Sequence, residues 1–237
     1  ATSKRPDRDY KYGGTLVSIG DIGYKGNTAA DNYTGNTHGG MAKINGQWYI
    51  FYHRQTNRQK CARQGCAEKI TILPDGSIPQ AEITSCGLND GALEGRGTYE
   101  ARIACNLSSR KGTFAYLKTR EKDKEGIHPY FTQSGTDREQ DGDQYIANMT
   151  DGAWAGFKYF EFTGKEETIE VNVRGTAQGN ILVMNDRTKQ PVAQIPICPS
   201  ETFRFFKGKL SIGAGIYPLY FCYRGKEAFD FDRFRIE

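Results

Sequence analysis

Acid–base chemistry and metal chemistry both draw on carboxylates, so the acidic residues of this sequence are the first place to look. A carboxyl pair that shares acid and base roles needs environments that push the two proton affinities apart. Asp21 and Glu68 are carboxylates of the first part of the chain, but no pair of carboxylates is set in an apolar, aromatic context that would push their proton affinities apart. The run Asp137-x-Glu139-x-Asp141-Gly142-Asp143 has the opening spacing of a calcium loop. Such a loop requires a glutamate at its twelfth position, where this sequence has Asn148. No flanking helices are evident, and a solvated acidic turn is the alternative reading. Six cysteines and three histidines complete the reactive inventory. Cys61-x4-Cys66 has no second pair, which argues against structural zinc. The sulfurs read mostly as buried thiols, with one or two bridges left open.

The elements that would carry these groups are short strands. Across 237 residues there are 28 glycines, 14 tyrosines and 13 phenylalanines, a composition of many strands and tight turns. The 32 basic residues are nearly matched by 28 acidic ones, which argues against a nucleic-acid surface. No apolar run approaches the length of a membrane span. The sequence opens Ala1-Thr2-Ser3-Lys4-Arg5 with no leader pattern, as expected of a processed or partial chain. Nothing in it fixes an extracellular or cytoplasmic location.

Along the chain, Thr15–Ile19 reads as a short strand. Gly39–Ile44 and Gln47–His53 flank Asn45-Gly46, a strong hairpin signal. Trp48-Tyr49-Ile50-Phe51-Tyr52 is apolar on both faces and expects burial on both. Cys66–Leu73 and Ile78–Thr84 would complete four strands, one propeller blade, which cannot bury both its faces alone. Residues 87–97 are glycine-rich and aperiodic, as at a domain junction. Beyond them, about ten short strands, including Thr98–Cys105, predict a β-sandwich. The last strand changes phase between Phe229/Phe231 and Phe234/Ile236, which predicts a bulge near Asp232.

Two resemblances follow from ordered series of residues. Asn36-Thr37-His38-Gly39-Gly40, Trp48 through Gln55, Arg63-Gln64-Gly65-Cys66-Ala67-Glu68 and Leu73 through Gln80 together resemble the final portion of the catalytic domain of glycoside hydrolase family 43. Asp151-Gly152-Ala153-Trp154 with Phe157-Lys158-Tyr159-Phe160, Gly179–Asp186, and Phe229-Asp230-Phe231-Asp232-Arg233-Phe234 resemble carbohydrate-binding module family 6. The expected architecture is all-β: the last-blade region of a partial β-propeller in residues 1–86, a junction at 87–97, and a β-sandwich of jelly-roll type in 98–237.

The first resemblance implies an inverting glycosidase acting on plant polysaccharides that contain arabinose or xylose. Its base, tuning aspartate and acid lie in earlier blades, so this chain should hold no catalytic residue and be inactive alone. The rest of the propeller would be its partner. The same resemblance places His38 near the propeller axis, where it helps hold a calcium ion through waters, and lets Arg54 reach the sugar. A hydrogen-bonded turn histidine and a strand-end arginine are the alternatives.

The second resemblance implies a polysaccharide or oligosaccharide cleft at the loop end. Two aromatics and a last-loop asparagine would line it: Trp154, with Tyr145 or Tyr159 beside it. Ala228 stands near the place expected of the asparagine, a departure that leaves a purely bracing sandwich open. This resemblance also implies a structural calcium between the first and last strands, with Glu100 and Asp230 or Asp232 as ligands.

Overall fold

A computed structural model describes residues 1–58, 61–114, 126–135 and 143–237. The Asp137-to-Gly142 part of the acidic run lies outside the described residues.

The hairpin signal at Asn45-Gly46 is realised. Both residues have positive φ, 48° and 86°, the left-handed pair that matches strand twist in a two-residue turn. It joins β1 (Gly39–Ile44) to β2 (Gln47–Gln55), and β3 (Arg63–Ile70) completes a three-stranded antiparallel sheet in the order β1-β2-β3. β2 is largely buried, whereas β1 is exposed along its whole length.

Two sequence expectations fail in this region. Thr15–Ile19 forms no strand, and Ile78–Thr84 does not add a fourth strand to the sheet. The second failure has a clear cause. Pro79 has no N–H to give to a ladder, and the N–H groups that follow are used elsewhere. Ala81 donates to the Leu16 carbonyl, Ile83 to Asp21 Oδ1, Thr84 to Glu68 Oε1 and Ser85 to the Lys158 carbonyl. These donors are satisfied by partners distant in sequence, so a ladder is not needed.

The remainder forms two packed sheets. The first contains β13 (Ser200–Lys209), β10 (Thr168–Gly175), β15 (Phe229–Ile236), β8 (Gln144–Met149) and β7 (Tyr130–Gln133) in that order, with β5 (Gly97–Glu100) also paired to β15. The second contains β12 (Ala193–Ile197), β11 (Gln178–Met184), β14 (Gly215–Lys226), β9 (Trp154–Phe162) and β4 (Leu93–Glu94), with β6 (Asn106–Ser108) on the other half of β9. The expected strand Thr98–Cys105 is instead β5 followed by a 3-10 turn at Ala101–Ile103. The turn carries the chain from the first sheet to the second, where β6 begins.

Alternation decides what enters the core. Ile169, Val171 and Val173 of β10 and Leu219, Phe221 and Tyr223 of β14 are at most 2% exposed. Phe157, Phe221, Phe231 and Phe234 pack mostly edge-to-face or tilted, with Phe157–Phe234 centroids 4.8 Å apart. Each such ring contributes about 1.5–3 kcal/mol by burial. The bulge expected near Asp232 is present: Asn172 pairs with Arg233 and Val173 with Phe231, so Asp232 is the extra residue. Of the six thiols, all free, Cys105 and Cys222 are buried, whereas Cys61 and Cys198 are exposed. The expectation that most are buried therefore holds for fewer than half.

Candidate functional site

The residues nominated from sequence do not gather at one place. Arg54 lies at the junction between the three-stranded sheet and the sandwich, only 7% exposed. Its Nε donates to Gln64 Oε1 at 2.9 Å, Nη1 to the Ala104 carbonyl and Nη2 to the Arg102 carbonyl. The guanidinium lies 3.6 Å from the Phe131 ring centroid. All three nitrogens are engaged, so Arg54 acts as a clamp within the junction.

A second buried polar group stitches the same junction, and the sequence reading did not single it out. Lys158 Nζ lies 3.0 Å from Asp21 Oδ2 and 2.8 Å from Glu82 Oε1. The signal was there: Lys158 stands between Phe157 and Tyr159 in the mostly apolar strand β9, and a charge in such a strand needs a buried partner. Burial opposes its charge, but Cys105, Asp21 and Glu82 outweigh burial and hold the ammonium above its ordinary value. Tyr159, nominated as a sugar platform, directs its hydroxyl to both oxygens of Glu82 at 3.0 and 3.1 Å. Glu68 is 3% exposed. It accepts from the Thr84 N–H (2.8 Å), the Thr84 hydroxyl (2.7 Å) and Tyr52 Oη (3.2 Å). Burial pushes its carboxyl up to about 7 despite those bonds. It borders a cavity of about 420 Å³ together with Tyr52, Arg54, Ile83 and Leu88.

Trp154 is half-buried on β9, in the second sheet, with its ring edge-to-face to Tyr220 at 6.4 Å. Tyr145 is on β8, in the first sheet. The structure therefore does not bring Trp154 and Tyr145 together as flanking aromatics.

Around Tyr145 it assembles a different group. β13 presents Phe203, whose ring is edge-to-face to Tyr145 at 5.6 Å. Arg174, at the end of β10, lies over both rings, 4.9 Å from the Tyr145 centroid and 4.4 Å from that of Phe203. It donates from Nη2 to Tyr145 Oη at 3.0 Å and from Nε to Asp230 Oδ2 at 3.1 Å. Burial raises the Tyr145 phenol above its ordinary value, with Asp230 adding to the effect. A cavity of about 410 Å³ opens beside this group, lined by Arg58, Tyr130, Asn148, Arg174, Ala228 and Asp230 among others. Two backbone features shape it. Asn148 has φ 63°, and the register against β15 shifts there, so that Ala147 and Asn148 both line the cavity. Gly175 has φ 137°, and a Cβ on it would lie 2.6 Å from the Ala228 carbonyl, so only glycine fits this approach. Aromatic faces beside a few convergent polar groups suit a saccharide. Phe203 and Arg174 were missed in the sequence. The legible signal was the Phe203-Arg204-Phe205-Phe206 run, together with the alternation Glu170, Asn172, Arg174 on the outer face of β10.

The residues nominated for calcium do not gather into a site. Glu100 pairs with Arg102, Asp230 with Arg174 at 3.1 Å, and Asp232 with Arg233 at 2.6 Å. Asp232 also accepts from Asn172 Nδ2 at 2.8 Å. His38 is exposed, with its ring edge-to-face to His53 at 4.6 Å. Among the described residues no three His, Cys, Asp or Glu side chains are disposed to hold a metal ion. In this arrangement each of the three carboxylates is paired with an arginine.

Comparison with known proteins places this geometry in context. No family model matches the chain. A xylosidase/arabinosidase of Thermoclostridium stercorarium is 44% identical over 228 residues, 95% of this chain and 48% of that protein. This chain is homologous to part of a xylosidase/arabinosidase. An arabinoxylan arabinofuranohydrolase of Paenibacillus polymyxa is 24% identical over 231 residues, 90% of this chain and 34% of its own length. The chain thus spans half or less of the curated relatives it matches. Among solved structures, a family 43 arabinoxylan arabinofuranohydrolase from Bacillus subtilis in complex with cellotetraose superposes with a TM-score of 0.56 at 19% identity. It covers 99% of this chain and 46% of that one. This last likeness is one of fold.

Proposed function

We propose that this chain is the non-catalytic, glycan-binding part of a family 43 glycosidase, one that acts with inversion on plant polysaccharides containing arabinose and xylose. The observation that carries the reading is the 44% identity to a xylosidase/arabinosidase across 95% of this chain. The ordered residues from Asn36 to Gln80 support the same family. On this reading the three-stranded sheet is the end of the propeller, and the catalytic carboxylates belong to blades outside this chain. The geometry is consistent with inactivity. Asp21 and Glu82 are both paired to Lys158, and Glu68 is enclosed and held by Tyr52 and Thr84. Inversion needs one free acid and one free base on opposite sides of a sugar ring.

The binding function resides in the sandwich, at the cavity lined by Tyr130, Asn148, Arg174 and Asp230, beside the Tyr145 and Phe203 rings. Bracing is a second role, favoured by the junction, where Arg54 and Lys158 lock the sheet to the sandwich. Affinity electrophoresis through gels with soluble arabinoxylan or glucuronoxylan tests the reading. Retardation by at least one xylan, abolished by Phe203→Ala, is expected. Migration unaffected by every xylan tried would leave bracing alone.

A further inference from the structure

The cleft contains a unit that strand β13 repeats. At the cleft, the Phe203 ring carries the Arg174 guanidinium 4.4 Å from its centroid, and Arg174 is paired with Asp230. Two residues further along β13, the Phe205 ring carries the Arg235 guanidinium at 4.8 Å. Arg235 Nη1 lies 3.7 Å from Glu170 Oε2 and 3.7 Å from Glu237 Oε1. Side chains two positions apart on a strand point to the same face, about 7 Å from each other. Both units therefore stand on the outer face of the first sheet. Phe205 is 37% exposed, so ring area stays open beside its guanidinium. The register puts Asn172 of β10 opposite Phe205, with Arg233 of β15 on its other side. Asn172 is 9% exposed and donates from Nδ2 to Asp232, but its Oδ1 has no hydrogen-bond partner among the described residues. A buried acceptor without a donor is costly, and a hydroxyl brought to this face would supply one. Arg174 is paired with Asp230, and Arg235 shares Glu170 and Glu237 with Lys207. Each of these cations faces a carboxylate, which suits an uncharged ligand. Flat rings beside fixed polar groups suit a sugar, and a row of such units suits a ligand that itself repeats.

We infer that the glycan site continues along β13 as a second subsite, with Phe205 as its platform and Asn172 Oδ1 as its hydroxyl acceptor. The sandwich then holds several consecutive sugars of an uncharged xylan backbone, laid along this strand. The inference rests on the glycan-binding reading and adds to it the direction and length of the bound chain. It is tested by NMR titration of the full chain with xylobiose and with xylohexaose. Two subsites filled by one ligand should make xylohexaose at least tenfold tighter than xylobiose. Phe205→Ala should weaken xylohexaose at least fivefold and leave xylobiose within twofold, whereas Phe203→Ala should weaken both. Each variant should keep a cooperative thermal transition. Should Phe205→Ala fail to fold, Phe205→Leu, which keeps apolar volume but removes the flat ring, carries the test. Wild-type affinity of the Phe205 variant for xylohexaose overturns the inference while the glycan-binding reading stands, as does equal affinity of the wild type for the two oligosaccharides. An equal loss of both ligands in the Phe205 variant also overturns it, because Phe205 would then belong to the first subsite. Binding of neither oligosaccharide by the folded wild type removes the glycan-binding reading itself, and this inference with it.

Discussion

Arg54 and Arg174 each lie on an aromatic ring, in two different polar regions of this molecule. Arg54 at the junction is 7% exposed and gives hydrogen bonds from all three nitrogens. The Arg174 side chain at the cleft is 33% exposed and leaves Nη1 unused among the described residues. The ring contact is common to both. The difference lies in what surrounds it. A buried guanidinium must be satisfied by the protein, or its desolvation goes uncompensated. A half-exposed one keeps donors for something else. The same contrast runs through the neighbours: Lys158 is enclosed by Asp21 and Glu82, while Asp230 borders an open cavity. The junction is read as architecture and the cleft as recognition.

The sharpest way to break this contrast is to remove the junction cation. Lys158→Ala leaves Asp21 and Glu82 buried without a counter-charge, and breaking a buried pair costs about 3–5 kcal/mol. Urea unfolding should record a loss of that order, and a loss below about 1 kcal/mol would show that the junction is not sealed. The next effect is a pH dependence. Burial holds the Glu68 carboxyl near 7, above the 4.5 of an ordinary glutamate. Between those values the folded state keeps a proton that the unfolded chain releases. Stability therefore falls as pH rises through this window, by at most about 3 kcal/mol. Glu68→Gln should remove this component of the pH slope, and an unchanged slope between about pH 5 and pH 8 would contradict it.

The cleft should behave in the opposite way. Phe203→Ala is expected to cost about 1 kcal/mol of stability or less, since the ring is half-buried. It should weaken xylan binding at least tenfold, about 1.4 kcal/mol, as read by titration calorimetry. The smallest effect belongs to Trp154→Ala. Trp154 is on the other sheet, so xylan affinity should stay within about twofold, and a larger loss would move the site to that face.

How much of this was legible in the sequence depended on the range of the forces involved. Local rules served well. Asn45-Gly46 announced its turn, Ile169-Val171-Val173 their inward face, and the phase change after Phe231 its bulge at Asp232. Expectations failed where distant partners decided the outcome. Residues 78–84 have apolar strand-like character, yet their N–H groups go to Asp21, Glu68 and other partners remote in sequence. The cleft shows the same limit. Tyr145 and Asp230 were each singled out, one as a sugar platform and one as a calcium ligand. Only the pairing of β8, β15, β10 and β13 reveals that Arg174 joins them. Trp154 and Tyr145 are close in sequence, but β8 and β9, which carry them, belong to different sheets. Family resemblance supplied roles for Arg54 and His38, but it could not tell that Arg54 would be consumed by carbonyls of residues 102 and 104.

The central claim is that this chain holds glycan without cleaving it. One measurement addresses both halves: incubate the purified wild-type chain with soluble xylan, neutral and glucuronic-acid-bearing, and follow binding by calorimetry and released reducing sugar in the same samples. The account predicts saturable binding to at least one of the polymers and no release of sugar from either. Sugar release that Glu68→Gln or another carboxylate substitution in this chain abolishes would contradict it, as would the absence of binding to both.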